Sequence, residues 1–273
     1  MYIPRKRAAE YSAARFGLLQ NQEELPGIEQ KEGTKMHTSI FENVAAVRGQ
    51  IRQAAEAAGR DPAEVRLCAA TKMNDAQAVK EAIQAGITDC GENRVQELTE
   101  KLAQHAYDGA RVHFIGHLQT NKVKQVVGKV DLIQSVDRVH LLEAVNREAA
   151  RQGICQNILL EINIAGEATK SGFAPEEIYP ILEEMRNFSN VCVRGLMVIP
   201  PISRFSGDNL KFFQKIRQFY VDIRRKKYDN VAVDCLSMGM SGDYPDAIAC
   251  GSTMVRIGTA IFGPRDYTAN RRV

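Results

Sequence analysis

The 273-residue chain has no Cys-x-x-Cys pair, no long apolar run and no strong excess of one charge. A formal charge of +3, carried by scattered basic residues, argues against a nucleic-acid surface. No stretch approaches the roughly 18 apolar residues of a membrane span. Without a dithiol motif, the cysteines are expected to be reduced, which predicts a cytoplasmic protein. Four of them stand in apolar strand-like runs, where burial is expected: Cys68, Cys90, Cys192 and Cys235.

Residues 1–35 differ from the rest in having little strand character and many polar residues. We predict that they form an N-terminal extension outside the core, and that residues 36–273 form the folded domain. No apolar segment follows Arg5-Lys6-Arg7, so a secretory signal is not expected, and several glutamates make a targeting presequence atypical. The one dense basic run, Arg224 to Lys227, ends an amphipathic segment and is interpreted as a solvated helix C-terminus.

Strand-like and helix-like runs alternate throughout the core. A helical period begins after Ser39, with Ile40, Val44, Val47 and Ile51 on one face. Eight strands are predicted, at Val65–Thr71, Asp89–Glu92, Val112–Ile115, Leu132–Val136, Ile158–Ile164, Val191–Ile199, Val231–Leu236 and Val255–Phe262. Helices are predicted between several of them, at Asn74–Ala85, Arg94–Gln104, Arg138–Arg151 and Pro175–Phe188.

This alternation with short loops indicates parallel β/α units. Eight units predict an α/β fold of one closed (β/α)8 TIM barrel with an extra N-terminal helix. An open doubly wound sheet is the alternative. It would need a glycine-rich phosphate loop after the first strand, and Thr71-Lys-Met-Asn74 is not one.

A barrel of this kind carries its function at the carboxyl ends of the strands. Glycine and hydroxyl residues gather after the last two strands, in Ser237-Met-Gly-Met-Ser-Gly-Asp243 and in Gly258-Thr259. Backbone N–H groups and hydroxyls of this kind bind phosphate. A tight turn with an N-cap at Ser241 or Asp243 would use the same residues.

Lys72 ends the first predicted strand, where an amine is partly desolvated. Desolvation favours the neutral amine, which can condense with an aldehyde or ketone. A lysine that merely reaches solvent from a strand end would look the same. With a phosphate site across the barrel mouth, a phosphorylated carbonyl ligand becomes the better interpretation.

Two other kinds of site are poorly supported. His113 and His117 have the four-residue spacing of some metal sites, but no glutamate follows His113 and the span is strand then loop, so no metal is expected. No Ser-His-Asp set or carboxylate pair stands at the strand ends, so hydrolysis is not indicated.

Six motifs occur in order along the core. They are Ala70-Thr-Lys72, Gly91-Glu-Asn-Arg-Val-Gln-Glu97, His113-Phe-Ile-Gly-His-Leu-Gln-Thr-Asn-Lys122, Gly195-Leu-Met197, Ser237-Met-Gly-Met-Ser-Gly-Asp243 and Val255-Arg-Ile-Gly-Thr259. With them the chain resembles the pyridoxal phosphate homeostasis proteins (YggS/PROSC-type), barrels similar to the N-terminal domain of alanine racemase. The resemblance runs from about Met36 to Gly263.

The resemblance implies that the chain binds pyridoxal 5'-phosphate (PLP) as an internal aldimine on Lys72. The other implied contacts are Ser241, Gly258 and Thr259 on the phosphate, Met240 lining the loop, Asn93 beside the cofactor and Arg256 facing the pyridine nitrogen. Met73-Asn74 departs from the family, which usually has a pair ending in proline after the lysine, and Pro200 to Gly207 also looks unusual.

The implied activity is cofactor storage, delivery or buffering, with no catalytic residue assigned. Arginine stays protonated, so Arg256 would leave the pyridine nitrogen unprotonated and the ring a poor electron sink. Racemisation would also need a second base, which alanine racemase takes from an extra domain of a partner subunit, and this chain ends at Val273, soon after the eighth strand.

The expected partners are PLP and PLP-dependent apo-enzymes as recipients, with the chain itself a monomer. Two alternatives stay open. One is a weak PLP-dependent amino-acid racemase with its base inside the barrel. The other is a Schiff-base enzyme that acts on a sugar phosphate without a cofactor.

Overall fold

Eight parallel strands close into a barrel in the computed structural model, which describes residues 39–167, 169–202 and 205–263. The strands follow one another around the barrel in chain order, and β8 pairs with β1. Their bounds are β1 Arg66–Ala70, β2 Asp89–Glu92, β3 Arg111–Phe114, β4 Leu132–Val136, β5 Gln156–Ile162, β6 Val191–Val198, β7 Val231–Ser237 and β8 Met254–Ile257. The predicted TIM barrel is confirmed. The predicted extension, residues 1–35, lies outside the described residues.

The α-helices of the described residues surround the barrel. They are α1 Ile40–Ala57, α2 Ala76–Gln84, α3 Val95–Ala103, α4 Val139–Gln152, α5 Ile178–Glu184, α6 Leu210–Arg224, α7 Tyr244–Ala249 and α8 Thr259–Phe262. None of the helices in these ranges is long and apolar enough to cross a membrane.

Helix α1 is the extra helix predicted before the first strand. Its N-terminus is a capping box, in which the Ser39 hydroxyl accepts from the Glu42 N–H and the Glu42 carboxylate accepts from the Ser39 N–H. Its buried face includes Val44, Val47 and Ile51, as predicted.

Two predicted elements are wrong in part. The eighth strand ends at Ile257 and Thr259–Phe262 is α8, because an apolar run of this length does not distinguish a strand from a short helix. The predicted helix Pro175–Phe188 is α5 between two 3-10 turns, Pro175–Glu177 and Met185–Asn187. Between β3 and β4, where no helix was predicted, the chain forms a 3-10 turn, Thr120–Gln125, in which Val123 alone is buried.

Most hydrophobic packing lies between the strands and the surrounding helices; Phe213, Ile216 and Ile223 of α6 are examples. The apolar cluster inside the barrel is small: Cys68, Leu132, Leu159, Met197, Cys235 and Met254. All six cysteines are free thiols. Cys68, Cys90 and Cys235 are buried as predicted, whereas Cys192 is only half-buried, so that prediction was wrong in degree.

Candidate functional site

Lys72 follows β1 at the rim of the barrel, with its side chain half-buried. The residue before it is tied to a buried carboxylate, because the Thr71 hydroxyl donates to Glu92 Oε1 over 2.6 Å. Lys101 Nζ lies 2.7 Å from the same oxygen and also donates to the Thr71 carbonyl over 2.9 Å. The Tyr107 hydroxyl is a further donor to Glu92, at 2.9 Å. Four buried polar groups therefore fix the end of β1.

Hydrogen bonds also fix the backbone of the residues after Lys72. The Met73 N–H donates to Glu97 Oε2 over 2.7 Å, and Met73 has a φ of 61°, a left-handed conformation that L-residues adopt at some cost. The Asn74 side-chain amide donates to the Lys72 carbonyl over 3.0 Å. The unusual Met73-Asn74 pair thus closes the turn by hydrogen bonds, and the backbone from which the Lys72 side chain projects is fixed on both sides.

The loop after β7 is a tight turn with free donors. The Met240 N–H donates to Asp243 Oδ1 over 2.7 Å, and the Asp243 N–H donates to the Met240 carbonyl over 3.1 Å. Because the Asp243 side chain accepts from Met240, it does not cap α7, contrary to the capping alternative. The backbone N–H groups of Ser241 and Gly242 donate to no acceptor among the described residues. The turn can therefore bind an anion.

The loop after β8 lies close to Lys72. A Cβ on Gly258 would stand 3.1 Å from the Ala70 carbonyl oxygen at the end of β1, closer than most side chains tolerate. Thr259, which follows, is exposed, as is Ser241. Since β7, β8 and β1 are neighbours in the barrel, Ser241, Thr259 and Lys72 follow three adjacent strands.

Arg256 lies inside the barrel beneath this rim. Its Nη1 donates to Ser237 Oγ over 2.6 Å and its Nη2 donates to the Val198 carbonyl over 2.9 Å. No carboxylate of the described ranges lies within ion-pair distance, and burial lowers the pKa of Arg256. Arginine remains protonated even so. Arg256 is thus a fixed, buried cation whose remaining N–H groups can donate to a ligand.

A chain of buried hydrogen bonds continues from Arg256 across the barrel. Ser237 Oγ donates to Gln134 Oε1 over 2.7 Å, and Gln134 Nε2 lies 2.8 Å from His113 Nδ1. His113 Nε2 in turn lies 3.1 Å from Asp89 Oδ1. The hydrogen bonds run from Arg256 to His113, and His113 Nε2, which has no hydrogen-bond partner among the described residues, reaches Asp89 by a close polar contact alone.

Asp89 ends this chain near the opposite face of the barrel. Burial alone would raise the pKa of Asp89, but the nearby His113 ring and the hydrogen bonds from Arg111 hold it well below its usual range. The two ring nitrogens of His113 therefore face the interior residues Gln134 and Asp89. His117, at four residues' distance, is exposed and pairs with Asp137 over 3.2 Å. In the described part of the chain, no three potential metal-ligating side chains converge.

The other half of the mouth contains a cavity of about 260 Å³. Asn93, directly after β2, lines it, and its Oδ1 is buried with no hydrogen-bond partner among the described residues. Glu161 on β5 also faces it and is only 8% exposed. Burial and the charge of Asp137 raise the pKa of Glu161 to about 7, against the opposing effect of Arg256.

The sequence analysis missed Glu161 and Lys170, which lies at the same cavity with its Nζ 3.3 Å from Glu167 Oε1. Glu161 had a readable signal, because it is a charged residue inside the apolar run Ile158–Ile162. No feature of the sequence pointed to Lys170, because it is the conformation of the loop after β5 that places it at the mouth.

The structure brings all the predicted site residues to the ends of four strands. Lys72 follows β1, Asn93 follows β2, Met240 and Ser241 follow β7, Arg256 lies in β8, and Gly258 and Thr259 follow it.

Comparisons with known proteins agree with this architecture. Residues 43–266 match the family described as alanine racemase, N-terminal domain. The pyridoxal phosphate homeostasis protein of Pseudomonas aeruginosa is 41% identical over 232 residues, which are 85% of this chain and 98% of that protein. The protein of the same name from Aquifex aeolicus is 41% identical over 226 residues, 83% and 98% of the two chains.

A solved structure is also similar. The structure of PipY from Synechococcus elongatus with PLP bound is 33% identical, has a TM-score of 0.72, and matches over 82% of this chain and 100% of that one. The chain therefore belongs to the pyridoxal phosphate homeostasis protein family and has the fold of the alanine racemase N-terminal domain.

Proposed function

We propose that this chain binds pyridoxal 5'-phosphate covalently through Lys72 and stores, delivers or buffers the cofactor, with little or no turnover. The proposal rests on one observation: Lys72, half-buried and with its backbone fixed on both sides, lies at the same rim as the free N–H groups after β7 and the exposed Thr259 after β8. When bound, the cofactor supplies an aldehyde for the amine and a ring that can withdraw electrons.

The residues at the rim fit each part of such a ligand. Ser241, Gly258 and Thr259, with the free N–H groups of the turn, would hold the phosphate, and Met240 would line that loop. Arg256 would donate to the pyridine nitrogen from beneath. The unpartnered Asn93 Oδ1 would accept a hydrogen bond at the other side of the ring.

Low turnover is supported by the position of Arg256. A guanidinium group donates a proton-bearing N–H and cannot take up a proton, so the pyridine nitrogen beside it would stay unprotonated. An unprotonated ring stabilises a carbanion poorly. Ser237 and the Val198 carbonyl hold Arg256 in place, so it does not swing away from this position.

We further propose that the protein works as a cytoplasmic monomer that passes the cofactor to PLP-dependent apo-enzymes. The six free thiols support a reducing compartment. Residues 1–35 are proposed to be an N-terminal extension that is not part of the folded domain, because they have little strand character.

A second candidate function, weak amino-acid racemisation, is favoured by one observation. Glu161 faces the mouth cavity, and burial raises its pKa to about 7, close to that of an effective general base. It would be the base that this reaction needs within the barrel.

Lys72→Ala is expected to abolish covalent binding of PLP, because the clamped turn directs this amine to the rim. Borohydride reduction followed by peptide mass spectrometry should find the adduct on Lys72 in the parent and none in the variant. Lys170→Ala, which removes another lysine from the mouth, is the matched control and should keep the adduct. An adduct on Lys170 would contradict the assignment.

Ser241→Ala combined with Thr259→Ala is expected to weaken binding of PLP far more than binding of unphosphorylated pyridoxal. Each lost hydrogen bond to a charged phosphate should cost about 1.5–3 kcal/mol. Fluorescence titration with both ligands measures the difference, with Thr99→Ala on α3 as control. Equal losses for the two ligands would show that these loops do not hold phosphate.

PLP-loaded protein is expected to interconvert L- and D-alanine far more slowly than the roughly 1–10³ s⁻¹ of ordinary enzymes. Arg256→Glu, which lets the ring nitrogen share a proton, should alter the visible spectrum without producing efficient racemisation. Chiral chromatography of the alanine product measures the rate. Racemisation at enzymatic rates in the parent and its loss in Glu161→Gln would establish the second candidate instead.

Glu161→Gln is expected to stabilise the cofactor-free protein at high pH. Because the pKa of Glu161 is raised from 4.5 to about 7 on folding, the parent loses stability as the pH rises through this window, and glutamine does not. The gain over the parent should be about 2–3 kcal/mol larger near pH 8 than near pH 5. Urea denaturation checks this, with the exposed Glu176→Gln as control. An equal gain at both pH values would contradict the raised pKa.

A further inference from the structure

The end of the barrel opposite Lys72 contains a second cavity, of about 410 Å³. It lies beside the first residue of β1 and the C-terminal half of α6. Four arginines line it, Arg60, Arg66, Arg217 and Arg224, together with Tyr220. Its volume falls within the range of small-molecule pockets, roughly 300–1,000 Å³.

The carboxylates in this cavity are already paired. Glu64 lies 3.2 Å from Arg60 Nη2, and Asp234 is bound by Arg194, which is not a lining residue. Arg66 lies 3.9 Å from Asp89, a carboxylate that Arg111 and His113 already contact. The lining thus carries an excess of positive charge.

Arg217 is the most informative of the four arginines. It is half-buried, and no described residue accepts a hydrogen bond from it or forms an ion pair with it. Burial is the largest effect and lowers the pKa of Arg217; the guanidinium groups of Arg60 and Arg224 lower it further, against the opposing effects of Tyr220 and Glu64. Desolvating a cation without a counter-charge is unfavourable, so an anion in the cavity would offset the cost.

Packing fixes the guanidinium groups in place. Arg217 lies 5.2 Å and Arg224 5.6 Å from the centre of the Tyr220 ring. Arg217 also fits against Gly251, where an added Cβ would stand 2.8 Å from its Nε. Arg60 is held by the Ile248 and Ser252 carbonyls, each 2.8 Å from Nη1. Ordered guanidinium forks are the preferred partners of phosphate oxygens.

We propose that this cavity, at the N-terminal end of the barrel, binds a small phosphate-bearing anion. Arg217 and Arg224 would contact the phosphate, and Arg66 and Arg60 would supply the rest of the positive field. The volume exceeds that of a single inorganic phosphate, so the ligand class is a phosphorylated metabolite or a pyrophosphate compound. The site is separate from the phosphate loops at the mouth and does not depend on cofactor binding.

Calorimetric titration of the full chain with inorganic pyrophosphate at physiological ionic strength tests the proposal. The parent should bind one equivalent at this cavity. Arg217→Gln should weaken that binding at least about tenfold, as expected for loss of charge-assisted hydrogen bonds. Arg217→Lys keeps the positive charge but loses the planar guanidinium group, so its affinity for pyrophosphate should lie between those of the parent and of Arg217→Gln. Arg224→Gln removes a second arginine of the cavity at an exposed position.

Two controls separate this cavity from other anion sites. Arg147→Gln removes an exposed arginine of α4, and Ser241→Ala with Thr259→Ala removes the hydroxyls at the mouth. Both should leave pyrophosphate affinity unchanged. The proposal is overturned by an absence of binding to the parent, by equal affinity in the parent and both the Arg217→Gln and Arg224→Gln variants, or by loss of binding in the mouth variant alone.

Discussion

Hydrogen bonding between β8 and β1 closes the sheet, and the two ends of the barrel depend on that closure. The pairing of Cys68 with Arg256 and of Ala69 with Ile257 places the end of β8 against the end of β1. A closed parallel barrel collects all its strand ends at one rim, so Lys72, Thr259 and Ser241 become neighbours although they are far apart in the sequence. The same closure brings α6 and the start of β1 together at the other end, where the arginines meet.

Buried polar groups then set the chemistry that the rim can offer. Glu92 gathers Thr71, Lys101 and Tyr107 and so fixes the backbone before Lys72. Hydrogen bonds link Arg256, Ser237, Gln134 and His113 across the interior, and the His113 ring lies close to Asp89. The hydrogen bonds that Arg256 donates to Ser237 Oγ and to the Val198 carbonyl determine its position. The cation beneath the rim is therefore a fixed electrostatic element.

The two ends of the barrel differ in the charge they present. The mouth combines a lysine, free N–H donors and a carboxyl whose pKa burial raises to about 7, a mixture suited to a ligand with several kinds of functional group. The N-terminal end offers arginines whose neighbouring carboxylates are already paired. In this fold the N-terminal end usually contributes stability, yet here Arg217 is half-buried and forms no ion pair with any described residue. The two ends of the barrel therefore carry different sets of charged groups.

The sequence by itself determined the order of the elements and the motifs at the rim, because periodicity and short-range motifs are local properties of the chain. Lys72 at a strand end, the glycines after β7 and β8, and the helix that begins after Ser39 could all be read this way. The tertiary structure decided between strand and helix where the local sequence was compatible with both. The Asn43 side chain of α1 donates to the Ile261 carbonyl of the Thr259–Phe262 helix. Arg224 is the exposed last residue of α6, as predicted, and it also lines a cavity. Only the folded barrel brings Glu161 and Lys170 to the mouth, and Arg66 and Arg217 to one cavity, because these residues lie on different parts of the chain. The raised pKa of Glu161 likewise arises from burial and from neighbours distant in sequence, so the sequence alone does not reveal it.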